Sequence, residues 1–119
     1  MEFEEQINSA KKRLIEKYNF EFPVIIVEGL GGSTHPEGNR IGRENPPELI
    51  ELFVLHEAYH IIFNINQTEE LKEKEKGNPM PYFTQEMWIW TKIKEDFPEL
   101  SWKVSEAIIG EMASLGIIK

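Results

Sequence analysis

Between Leu49 and Ile65 the chain is apolar nearly all round, through Ile50, Leu52, Phe53, Val54, Leu55, Ala58, Tyr59, Ile61, Ile62 and Phe63. A helix of that composition has no side to offer water, so the rest of the chain must wrap it. Pro46-Pro47 opens the segment, and Glu48 and Glu51 fall in its first turn. Proline's missing N–H costs nothing there, and acidic groups meet the positive end of the helix dipole. The reading is a central, buried helix over 49–65. Polar residues inside such a helix need a reason, and three of them are His56, Glu57 and His60.

Together they spell His56-Glu57-Ala58-Tyr59-His60, the pattern HExxH. Positions i and i+4 lie one above the other on a helix, so two imidazoles can converge on one ion at about 2.0–2.1 Å. The Glu after the first His sits beside that face; it cannot easily ligate the same ion, but it can take a proton from an attacking water. With three His and 20 Glu in 119 residues, chance would supply this pattern about 0.01 times. The competing explanation is a pair of core histidines bonded to backbone carbonyls, with Glu57 resting on a neighbouring donor.

Composition narrows what can complete such a site. The chain has no cysteine, which excludes disulfides, thiol nucleophiles, iron–sulfur clusters and Cys-ligated zinc. A longer three-histidine motif would need Gly at 63 and His at 66, where Phe63 and Asn66 stand. The spare histidine is His35, so a carboxylate is the expected third ligand. Glu86 heads the stripe Glu86, Trp90, Ile93, Phe97, spaced 4, 3 and 4, which points it into a core. Its competing role is that of a first-turn Glu serving the helix dipole. Glu106, and Glu69 or Glu70 if the central helix continues, are rival ligands.

Elsewhere the pattern is mixed. Phe3, Ile7, Ala10, Leu14 and Tyr18 form one apolar stripe, predicting a helix over 2–18. Val24-Ile25-Ile26-Val27 reads as a buried strand. Ser33-Thr34-His35 and Arg40–Arg43 flank the turn-forming Pro36-Glu37-Gly38-Asn39, a hairpin. The charged stretch 66–81 reads as a solvated excursion closed by Gly77, Pro79 and Pro81. Thr84 is expected to cap a helix over 85–97, stopped by Pro98. Ser101 is expected to cap another over 102–115, ended by Gly116. The expected fold class is α+β in a single domain over 1–119, with neither a repeat nor a long linker.

The formal net charge is −8, which argues against nucleic acid or an anionic membrane surface as a partner. At the level of gross charge it favours basic peptides. Abundant Glu and Lys without Cys follow the compositional trend of hyperthermophiles. Three glutamates within Met1–Glu5 have the wrong sign for a signal or transit peptide, and no apolar run approaches a membrane span. A soluble, cytoplasmic protein is expected.

A helix, a small sheet with a hairpin, the His56-Glu57-x-x-His60 helix and a later helix carrying Glu86-Met87-Trp88 resemble the gluzincin metallopeptidases. In so short a chain the resemblance is to the minigluzincins, and it covers about residues 1–97. It implies a zincin-like minimal catalytic domain and an endopeptidase acting on peptides or proteins. By position, zinc would be bound by His56, His60 and Glu86, with Glu57 as general base and acid. It further implies that an extended peptide would pair with the strand and hairpin at the rim of a cleft. Latency is implied as well, through self-association or a terminal segment covering that cleft. The apolar run from Trp102 to Ile118 is the candidate segment, its plainer reading being a packing helix. Tyr59 departs from the small residue usual before the second His, and its ring is expected to crowd the glutamate helix. Tyr82 and His35 are candidate oxyanion stabilisers. The alternative function is a non-catalytic module that binds zinc structurally or regulates.

Overall fold

A computed structural model describes residues 2–65 and 80–114. The described residues form an α+β arrangement of four α-helices and a three-stranded mixed sheet. The chain divides into two compact units, Met1–Ile65 and Asn66–Lys119.

The first unit opens with helix α1, Glu2–Tyr18, over the residues that the apolar stripe predicts. Ala10 and Leu14 of that stripe are buried, and α1 packs along the central helix α2, Ile50–Ile62. Asn19 ends α1 in the left-handed region, at φ 50°, which asparagine tolerates better than most residues. The central helix is buried as its composition requires: Ile50, Leu52, Val54 and Leu55 are all at most 1% exposed. Each such side chain contributes about 1.5–3 kcal/mol by leaving water.

Both ends of this helix differ from expectation. Pro47–Leu49 form a 3-10 turn, and α-helical geometry starts at Ile50. It stops at Ile62 rather than Ile65, because Asn64 enters the left-handed region at φ 54° and reverses the chain. No side chain of the entry segment caps the helix; Gln6 of α1 reaches across to accept the Glu51 N–H at 3.0 Å.

The sheet comprises β1, Val24–Val27, β2, Gly32–His35, and β3, Gly38–Gly42, in the order β1-β3-β2. The expected hairpin is present: β2 and β3 pair antiparallel, with Ser33 opposite Arg40 and Thr34 opposite Asn39. The β1 strand pairs in parallel with β3, so among the described residues both β1 and β2 are edges. Val24–Val27 is therefore half-buried along its length, not buried as its composition suggests. The buried strand is β3, where Gly38, Asn39, Ile41 and Gly42 are covered. To reach β2, the chain leaving β1 crosses the end of β3, and a side chain at Gly42 would collide with the Gly29 carbonyl. Asn45 pins the crossing by accepting from the Gly31 N–H at 2.7 Å and donating to the Gly31 and Gly42 carbonyls. The central helix packs under β2 and β3.

In the second unit, helix α3 covers Met80–Asp96 and helix α4 covers Ser101–Ser114, joined by a 3-10 turn at Pro98–Leu100. The third helix starts about a turn before the expected Thr84 cap. Pro81 falls in its first turn, where a missing N–H breaks no bond, so it opens the helix instead of preventing it. Ser101 does not act as a cap acceptor; its hydroxyl donates to the Pro98 carbonyl at 2.7 Å. Glu86, Ile89, Trp90 and Ile93 are buried on α3, Phe97 just past its end, and Val104 and Ala107 on α4. The two helices pack on each other, while Trp102 and Ile109 of α4 are exposed. Residues 66–79 of the expected charged excursion over 66–81, and the last five residues with Gly116, lie outside the described residues; Met80 and Pro81 belong to α3. Among the described residues, no helix is long and apolar enough to cross a membrane.

Candidate metal centre

The spacing of His56 and His60 does what helical geometry demands. Their Nε2 atoms stand 3.3 Å apart and their ring centroids 4.9 Å apart. Two nitrogens bound to one tetrahedral zinc at about 2.1 Å would stand roughly 3.4 Å apart. The pair therefore sits at the separation that a shared ion requires. Both side chains are buried.

Glu86 occupies the inward face of α3 and is 1% exposed. His56, His60 and Glu86 are all buried and together make a donor group that could hold a metal ion. Two imidazoles and a carboxylate are the donor set that divalent zinc takes. The chemistry of the donors fits such an ion, as does the spacing of the two histidines. Isolated burial of this much polar chemistry is costly, and a shared cation would offset it.

Glu57, next to the first histidine, belongs to a different environment. It is 7% exposed, and its Oε2 accepts a 3.0 Å hydrogen bond from Thr34 Oγ1 on β2. Gly32, two residues earlier on the same strand face, lies close enough that a Cβ there would stand 3.2 Å from Glu57 Cγ. The edge strand thus covers Glu57 with one hydroxyl and one absent side chain.

At the other end of the motif, His60 Nδ1 donates to the Ile65 carbonyl at 3.2 Å. A carbonyl oxygen only accepts, so in the neutral ring the proton sits on Nδ1 and the lone pair on Nε2, facing His56. This bond and the Thr34–Glu57 bond are ones that core histidines and a core glutamate would also make. What favours the metal reading is that Glu86, a third donor of the set zinc takes, is buried as well.

The remaining candidates fall as follows. Tyr59, expected to crowd the glutamate helix, packs edge-on against Tyr18 of α1 and tilted against Phe63, with ring centroids at 5.6 and 5.4 Å. One position before His60, its side chain leaves α2 toward α1. His35 pairs with Ser33 Oγ at 2.8 Å. Because side chains alternate along a strand, Ser33 and His35 face away from the side on which Thr34 meets Glu57. Tyr82 lies in the first turn of α3, and its side chain is outside the described residues. Glu106 is exposed on α4, and Glu69 and Glu70 lie outside the described residues.

No protein-family model, curated protein or solved structure matches the chain. Sequence reasoning missed Thr34, Gly32 and the turn at Asn64 and Ile65. Asn64 had a readable signal, since asparagine after an apolar run is a common left-handed helix stop. Thr34 had none, because only the strand pairing places it over Glu57.

Proposed function

We propose that this chain is a zinc-dependent peptidase of minigluzincin type with a zincin-like fold, in which His56, His60 and Glu86 hold the ion. The single observation that carries the reading is a buried two-histidine, one-glutamate donor group that could hold a metal ion, its two histidine Nε2 atoms 3.3 Å apart. A zinc ion held there would polarise a scissile carbonyl and lower the pKa of a water molecule.

The chain's own residues supply the rest. Glu57 takes the proton of the attacking water on one carboxylate oxygen and passes it to the leaving amine nitrogen. Thr34 holds the other oxygen, Oε2, so the carboxylate does not swing. Among the described residues no strand pairs with the outer edge of β2, so an extended peptide can add a strand there, beside Glu57. A structural zinc module would have no use for Glu57: a fourth buried polar group, next to a ligand yet outside the ligand set, favours catalysis.

The test measures zinc by mass spectrometry and cleavage of unstructured peptides. Wild type should carry one zinc and cleave. Glu86→Ala should lose the metal, and Glu57→Ala should keep the metal and lose cleavage. Unchanged cleavage by Glu57→Ala would sink the reading. Retained zinc with no cleavage by wild type under any condition would favour the structural module.

A further inference from the structure

The end of α2 is more than a stop. The chain passes from Phe63 through Asn64, at φ 54°, and turns back on the helix. The Asn64 N–H bonds to the Ile61 carbonyl at 3.1 Å, and the Ile65 N–H to the His60 carbonyl at 2.8 Å. This pair of bonds is a Schellman motif, in which the second residue past the cap returns to the third residue before it. Here the third residue before the cap is His60. The same Ile65 that bonds the His60 backbone through its N–H also accepts from the His60 ring through its carbonyl, at 3.2 Å. One residue grips both the main chain and the side chain of the second motif histidine.

We infer that Asn64 is a positioning residue for the metal centre: its left-handed backbone returns the Ile65 carbonyl to His60 Nδ1 and so locks the Nε2 lone pair toward the ion. The inference rests on the proposed reading in taking His60 as a zinc ligand. Its physical basis is general. A ligating histidine needs its far nitrogen bonded to an acceptor, which sets tautomer and ring orientation, and losing such a partner weakens metal binding about 10–100-fold. In this protein the acceptor is a backbone carbonyl, so no side-chain substitution deletes it; only the backbone path does. That path depends on a residue that accepts positive φ. Asparagine and glycine do so readily, whereas a β-branched residue does not.

The experiment compares Asn64→Gly and Asn64→Val with wild type. Zinc affinity is read by competition with a chromophoric chelator, and the metal-free His60 tautomer by long-range proton–nitrogen NMR. Wild type and Asn64→Gly should show the Nδ1–H tautomer and agree in zinc affinity within about two-fold. Asn64→Val should populate the Nε2–H tautomer and bind zinc about ten-fold more weakly or worse. A merely structural turn would lower the melting temperature of Asn64→Val and leave its zinc affinity unchanged, which overturns the inference. So would equal losses in the Gly and Val variants, or an Nε2–H tautomer in wild type, the result that still decides if Asn64→Val does not fold. Neither readout needs a substrate, so failure to cleave peptides leaves the inference standing. Failure of wild type to bind zinc sinks the metal reading, while the tautomer still reports on the clasp.

Discussion

The central helix buries two glutamates less than two turns apart and treats them in opposite ways. Glu51, in the first turn, accepts from Arg13 Nε at 2.9 Å and from the Ser9 hydroxyl, both on α1. Its side chain is 7% exposed and that of Arg13 26%, so a cation neutralises it at the boundary of the core. Glu57 is as deeply placed, but among the described residues its carboxylate is held by the Thr34 hydroxyl, with no cation in an ion pair. A buried carboxylate with a fixed cation is a clasp between two helices. One with a hydroxyl on a single oxygen keeps the other oxygen available for a proton. On the proposed reading, the partner rather than the burial tells the two acids apart.

The sharpest way to break this comparison is to neutralise each acid in turn. Glu57→Gln should lower peptide cleavage by about 10²–10⁴-fold, the usual contribution of a general base, while zinc content and melting temperature stay near wild type. If Glu57→Gln instead melts early and still cleaves, the two acids share a structural role. Glu51→Ala should show the reverse pattern. Removing one partner of a buried ion pair costs a few kcal/mol, and the partial exposure of Arg13 brings this to about 2 kcal/mol. A fall on the order of 10 °C in melting temperature is the expected reading, with zinc stoichiometry retained.

Smaller effects sharpen the distinction. Thr34→Val keeps the shape of β2 and removes the donor to Glu57. A loss of roughly ten-fold in kcat is expected, with KM and zinc content unchanged, and Thr34→Ser should restore it. A change in KM alone would assign Thr34 to peptide binding instead. The smallest effect belongs to the exposed pair of Arg43 and Glu28, 3.7 Å apart. Arg43→Ala should alter stability by under about 0.5 kcal/mol, since water already screens both charges. A larger change there would mean that exposed ion pairs matter in this protein as much as the Glu51 clasp does.

These elements also show how far sequence reasoning reaches. The first helix was legible to its ends, because Phe3, Ile7, Ala10, Leu14 and Tyr18 repeat at helical spacing. So was the hairpin, announced by Pro36-Glu37-Gly38. Strand burial was misread: Val24–Val27 looks like a core strand, yet β3, with an arginine and two glycines, takes the central place. Composition reports what a strand could bury, and strand order decides what it does bury. The start of α3 was misread for a local reason, since proline serves equally as a breaker and as a first-turn residue.

By itself the sequence determined the histidine pair, the adjacent Glu57 and the inward face bearing Glu86. Each of these follows from the 3.6-residue repeat of a helix, which acts between residues three or four apart. Only the tertiary structure decided that Thr34 holds Glu57, that Arg13 claims Glu51, that Tyr59 turns toward α1, and that Ile65 returns to His60. The first three join residues far apart in the chain and depend on which elements pack together; the fourth hangs on a single backbone angle at Asn64. Periodicity carries no record of either.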